Sequence, residues 1–195
     1  RWLDETKQEE DFSAGLDGWS VFTSFGEPVY WWRDRKPGAC LVDHPSRRGE
    51  KCLHVRRADD KPGDGAVWNF PAGKRGTLTL RLRLQEGCAG ATISLTDRMF
   101  EPCDDTGDKL AAFSVAIDRD GRIDGGAMLT TGTWHTLEFQ WDSSRCNLTL
   151  DGRPAGQFAS RAPAGDGLSY LRLRSTAPAK DAAGFLVESV SVRTR

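Results

Sequence analysis

The stretch Trp134–Gly156, WHTLEFQWDSSRCNLTLDGRPAG, carries two runs of strict alternation. Leu137, Phe139 and Trp141 fall on one side, and Thr136, Glu138 and Gln140 on the other. After a short polar turn, Cys146, Leu148 and Leu150 resume the apolar side while Asn147 and Thr149 take the polar one, and an Asp151-Gly152 turn closes the unit. Successive side chains of a strand leave opposite faces, so apolar residues at every second position between turn formers predict half-buried antiparallel strands.

The same pattern recurs outward from this unit. TLTLRLRLQ sets Leu78, Leu80, Leu82 and Leu84 against Thr79, Arg81, Arg83 and Gln85. ACLVD, KCLHVRR, GAVWNF, ATISLTD, LAAFSVAID, LSYLRLRST and FLVESVSVRT add further short strands between turn signals, and no convincing helical period or fixed repeat intervenes. An all-β, two-sheet antiparallel sandwich is expected. The charged opening RWLDETKQEE reads as a linker or N-terminal arm over residues 1–10, with the sandwich domain over 11–195. Trp19, Trp134 and Trp141 are read as core, and Trp68 is ambiguous.

With 195 residues the chain can bury a large core without disulfides or metals. Its 27 Lys and Arg against 28 Asp and Glu leave a formal charge of -1, which argues against a dedicated nucleic-acid binder. No apolar run approaches the ~20 residues of a membrane span, and no export signal is present in this stretch. The five cysteines allow a cross-hairpin bridge between Cys40 and Cys52, or a loop closed by Cys88 and Cys103, but are equally consistent with a reduced, buried set. Cys146 shares parity with Leu148 and Leu150 and is read as a small core residue.

DFSAGLDGW, GAVWNFPAGKRGTLTLRLRL, TGTWHTLEFQWDSSRCNLTLDGRPAG, GLSYLRLRSTA and GFLVESVSV together resemble a concanavalin A-like jelly roll. The variety they resemble is the laminin G-like module found beside sialidase-type BNR-repeat domains in secreted bacterial proteins. The likeness covers most of Asp11 to Arg193, and its most specific piece is W-x-x-L-x-F-x-W followed by L-x-L-D-G-x, which are core and turn positions. The resemblance implies a carbohydrate-binding accessory role outside the cytoplasm, extracellular or periplasmic, in a monomer or part of a larger multidomain chain. It also implies calcium in some members and hydrolase or lyase activity in others. The chain lacks the E-x-D-x-x-E run of laminarinase-like hydrolases and the Q-I-H and R-[ST]-E motifs of alginate-lyase-like jelly rolls.

Candidate ligand groups follow from strand parity. Arg81 and Arg83 share one sheet face, as do Arg172 and Arg174 with Tyr170 alongside. Within a single sheet these strands would form a basic strip able to grip a carboxylated or sulfated sugar bidentately, with Glu138 and Gln140 completing it. The alternative is a solvated face whose charges pair across strands. Trp31 and Trp32 are adjacent, so an extended segment turns one of them outward as a stacking platform beside Tyr30 and Arg33; the alternative is simple packing.

Asp97, Glu101, Asp104, Asp105 and Asp108 crowd one loop, which reads either as calcium-binding with unassigned ligands or as a hydrated acidic loop. Asp118, Asp120 and Asp124 straddle a turn and are read as turn residues. His44, His54 and His135 have no catalytic motif around them and are read as structural or solvated. Glu138 is the best lone carboxylate for a glycosidase, which needs a second one across a cleft. A lyase would use Tyr170 as base with Arg172 or Arg174 against a uronate. The reading favoured by these features is a non-catalytic module that binds a polysaccharide or glycoconjugate glycan, ahead of a jelly-roll hydrolase or lyase acting on an acidic glycan and of a structural spacer.

Overall fold

The computed structural model describes residues 5–23, 38–58, 60, 64–102, 105–124 and 126–195. Its strands are β1 (Thr6–Glu10), β2 (Trp19–Thr23), β3 (Ala39–Asp43), β4 (Lys51–Arg57), β5 (Asp64–Gly73), β6 (Gly76–Leu84), β7 (Ala91–Thr96), β8 (Phe113–Ile117), β9 (Trp134–Trp141), β10 (Arg145–Leu150), β11 (Arg153–Ala159), β12 (Leu168–Ser175) and β13 (Asp181–Thr194). One short helix, α1 (Thr106–Leu110), lies between β7 and β8. The larger sheet runs β11-β10-β9-β6-β13-β4-β3, and the smaller runs β2-β5-β12-β7-β8. β1 joins the larger sheet by pairing with β13, and the chain crosses between the sheets at β1–β2, β2–β3, β4–β5, β5–β6, β6–β7, β8–β9, β11–β12 and β12–β13. This is the two-sheet antiparallel jelly-roll sandwich expected from the alternation.

The inner faces fill the space between the sheets. Leu78, Leu80, Leu82, Leu137, Phe139, Leu53 and Val187 of the larger sheet are buried, as are Ile93, Leu95, Leu171, Leu173 and Val115 of the smaller. Burial of each large aliphatic side chain contributes about 1.5–3 kcal/mol. Rings of Phe12, Trp19, Trp68, Phe70 and Trp141 succeed one another at centroid spacings of 5.6, 6.1, 5.9 and 6.1 Å. Trp68, ambiguous in sequence, is therefore a core residue at the centre of this chain of rings.

The Asp-Gly turn is also as read. Asp151 and Gly152 have φ of 50° and 77°, positive at both central positions of the two-residue loop between β10 and β11, as a type I′ hairpin requires. The Asp151 carboxylate accepts from the Thr136 amide at 2.8 Å and pairs with His135 Nδ1 at 2.7 Å, tying this turn back to β9. Burial alone would raise the Asp151 carboxyl, but the Thr136 amide and His135 outweigh it and hold its pKa below the usual range.

Two sequence expectations change, and the choice left open for the cysteines is narrowed. The charged opening, expected as an arm over residues 1–10, supplies β1, whose backbone pairs with β13 from Thr6↔Thr194 to Glu10↔Val190. Main-chain pairing needs no apolar pattern, and charged side chains suit an edge strand, so the strand was hidden by its composition. Trp134, expected as core, has the parity of Thr136 and Glu138 and lies half-buried on the outer face, stacked on His44 at 5.2 Å. Cys40, Cys52, Cys88 and Cys146 are free thiols. Cys40 stands opposite His54 and Cys52 opposite Val42, so the two cysteines are diagonal neighbours. That offset, about 7–8 Å, is beyond the reach of a disulfide. Cys146 is fully buried, as expected, and burial pushes its thiol up to about 12; Cys103 lies outside the described residues.

Candidate functional site

The outer face of the larger sheet presents polar side chains in register across many strands. One row runs Lys7, Arg193, Thr77, Gln140, Asn147 and Gln157, each opposite the next. The row beside it runs Glu9, Ser191, Thr79, Glu138 and Thr149. Neighbouring strands lie ~4.8 Å apart, so each row offers a donor or acceptor at that interval. Arg81 stands opposite Thr136 and Arg83 opposite Trp134 on the same face. Four residues singled out in sequence, Arg81, Arg83, Glu138 and Gln140, are thus brought together on adjacent strands.

The centre of this face is organised by Glu188, which sequence reading passed over. A bulge between Val187 and Ser189 turns Glu188 outward from a strand whose flanking residues, Val187 and Val190, both point into the core. Its carboxylate, 8% exposed, meets Arg81 Nε at 2.6 Å and His44 Nε2 at 2.9 Å, and also pairs with Arg47. The signal was available: inward Val187 and Val190 are three apart, an odd step in a period of two. Cys52 is buried on this face beside them, and burial, with the Glu188 charge second, pushes its thiol up to about 11. Such a thiol is protonated and inert at neutral pH.

The smaller sheet's outer face holds the other predicted group and treats it differently. Tyr170, Arg172 and Arg174 lie on β12, which is not in the sheet of β6. The single basic strip does not form, because the two arginine pairs face opposite sides of the sandwich. α1 covers the second pair. Asp108 accepts from Arg172 Nη1 and Arg174 Nε, both at 2.6 Å, and from the Ser94 hydroxyl at 2.8 Å. Arg172 Nη2 donates to the Glu101 carbonyl at 2.6 Å, and Arg172 is 1% exposed. A Cβ on Gly107 would come within 2.7 Å of Arg172 Nε, so only glycine lets the helix approach this closely. Arg172 is shut away from any uronate, and the lyase arrangement around Tyr170 loses its charge-neutralising partner.

The acidic loop is explained by the same contacts. Asp108 faces inward to arginine, Asp97 pairs with Arg98 at 2.8 Å, and Asp105 pairs with Lys109 at 2.7 Å. Among the described residues no group of three His, Cys, Asp or Glu side chains is placed to hold a metal ion. Asp118 accepts from the Asp120 and Arg122 amides at 2.9 Å, the turn role expected of it. Trp31, Trp32 and Asp104 lie outside the described residues. Glu138 shares its face with Glu188, but the latter's two oxygens are already taken by arginine and histidine.

No family model matches the chain, and comparison with curated proteins finds no relative. Solved structures do match. A sialidase superposes with a TM-score of 0.64 at 16% identity, over 96% of this chain. A glycoside hydrolase family 16 enzyme of Bacteroides ovatus, bound to a G4G4G3G product, gives 0.58 at 11% identity over 95% of this chain and 99% of its own. The exoplasmic/lumenal domain of VIP36, bound to Ca2+ and Man3GlcNAc, gives 0.56 at 10% identity over 92% and 84%. The chain spans 18% of the length of the sialidase. At such identities the likeness is one of fold, and it is consistent across all three: the chain has the two-sheet antiparallel jelly-roll fold.

Proposed function

We propose that this chain is a non-catalytic carbohydrate-binding module, exported as part of a larger bacterial glycan-processing protein, that holds its ligand along the outer face of the larger sheet. The observation that carries the reading is the polar row Lys7–Arg193–Thr77–Gln140–Asn147–Gln157, with Glu138 and Thr79 in the row beside it and Arg83 farther along the same face. A line of hydrogen-bonding groups at strand spacing matches the hydroxyl-lined edge of an extended oligosaccharide, and it lies on a shallow surface suited to binding. The fold neighbours bound to a glucan product and to Man3GlcNAc make a sugar ligand the natural class to test, by analogy of fold.

Among the described residues, Glu188 is not a free second carboxylate for Glu138, since both of its oxygens are bound. A panel of uronic-acid, sialylated and neutral polysaccharides tests the proposal. Retention of at least one is expected, weakened about tenfold or more by Gln140→Ala or Arg83→Ala. Retention of none overturns the binding reading. Release of reducing ends, or new absorbance from an unsaturated product, overturns the non-catalytic one.

A further inference from the structure

Where β6 begins and β13 ends, the polar row opens into a concavity of about 520 Å³. That volume lies in the range of small-ligand pockets, ~300–1,000 Å³. It is lined by Arg75, Arg145, Arg193 and Arg195, with Gln140 and Asn147 among the polar groups. The lining also contains two acids, and each leans on one arginine: Asp142 on Arg145 at 3.6 Å and Glu5 on Arg195 at 3.8 Å. The Ser144 amide and hydroxyl and the Arg145 amide also donate to Asp142, and these bonds, led by the Ser144 amide, bring its carboxyl down to about 2. Arg75 and Arg193 have no ion pair among the described residues, and both are exposed.

We infer that this pocket is an anion subsite, taking the carboxylate or sulfate of an acidic glycan whose chain lies along the polar row. The inference rests on the proposed glycan reading of this face. The chain as a whole is nearly neutral, at -1, so an excess of two guanidinium groups in one concavity is a local feature rather than a general basic surface. Guanidinium forks match the planar carboxylate and the oxygens of sulfate bidentately, which an ammonium does not. Gln140 and Asn147, on the outer face, then reach the neighbouring hydroxyls. The arginines singled out in sequence, Arg81 and Arg83, lie farther along the same strands and are not part of this pocket.

The test uses oligogalacturonate, its methyl ester, a sulfated oligosaccharide and inorganic sulfate, with affinity measured by calorimetry and arginine Nε–Hε shifts by NMR. Oligogalacturonate or the sulfated sugar is expected to bind about tenfold or more tightly than the methyl ester. Arg193→Ala and Arg75→Ala are expected to abolish that preference, and Arg193→Lys to recover only part of it. Both arginines are exposed, so folding of the variants is checked by an unchanged melting temperature. Equal binding of acid and ester, unaltered by Arg193→Ala, overturns the anion subsite and leaves the glycan reading standing. Sulfate shifts at the pocket arginines without binding of any glycan support the anion site and overturn the glycan reading. No response to any probe overturns both.

Discussion

Arg81-Leu82-Arg83 and Arg172-Leu173-Arg174 are the same motif in two strands, and the molecule uses them in opposite ways. Both central leucines are fully buried and both arginine pairs face outward from their sheets. On the smaller sheet, α1 lies over the pair and the Asp108 carboxylate bonds both guanidinium groups, one oxygen to each. On the larger sheet, Arg81 is 40% exposed and held by Glu188, while the surrounding rows stay open. One pair is a buried lock between a loop and a sheet; the other borders a polar surface available to a ligand. An outward-pointing charge is therefore evidence for a site only where nothing else in the chain covers it.

The largest expected effect tests the lock. Asp108→Ala leaves Arg172 buried with its main counter-charge removed, and is expected to lower stability by about 3–5 kcal/mol in urea unfolding. A loss below about 1 kcal/mol would mean that the smaller sheet's pair is solvated like the larger one's.

Glu188→Ala makes the matching cut on the larger sheet. Its partners Arg81 and Arg47 are 40% and 46% exposed and can rehydrate, so a smaller loss is expected, about 1.5–3 kcal/mol. A penalty exceeding that of Asp108→Ala would reverse the comparison.

Gly152→Ala places a Cβ at φ 77° in the turn that ends β10, where nothing crowds it. Only backbone strain is added, about 1–2 kcal/mol, and binding along the larger sheet is expected to survive whenever the variant is folded.

The smallest effect concerns pH. His54, on the larger sheet's outer face, bonds the Ala183 carbonyl at 2.6 Å. Burial, more than the nearby Arg56, lowers its pKa from 6.5, against the opposing pull of Ala183 and Asp181. The unfolded chain thus takes up a proton more readily than the folded one, so this contribution is intact above pH 6.5 and is lost as pH falls below it toward the folded pKa. Melting temperature is expected to decline over that window, and His54→Gln is expected to flatten the decline.

Much of the architecture was legible in the sequence because it rests on parity. Leu137, Phe139 and Trp141 point inward as the alternation required, Cys146 is core, and Asp151-Gly152 is a turn. Parity also turned Arg81 with Arg83, and Glu138 with Gln140, to the polar side of their strands, and the β6–β9 pairing unites the two. It could not say that β12 lies in the other sheet, since sheet membership is set by long-range pairing, nor that a five-residue helix would cover Arg172. β1 escaped notice because its pairing is made by backbone, and Trp134 because its size suggested core where its position in the alternation did not. The Arg75, Arg145, Arg193 and Arg195 concavity draws on four separate segments that only the fold assembles.

The central claim is that ligand lies on the larger sheet's outer face and that the smaller sheet's face is structural. The most direct measurement is the affinity of one retained oligosaccharide for Gln140→Ala and for Tyr170→Ala, each compared with the unaltered chain. The account predicts that Gln140→Ala weakens binding about tenfold or more while Tyr170→Ala leaves it unchanged. Loss of binding in Tyr170→Ala with Gln140→Ala unaffected would contradict it.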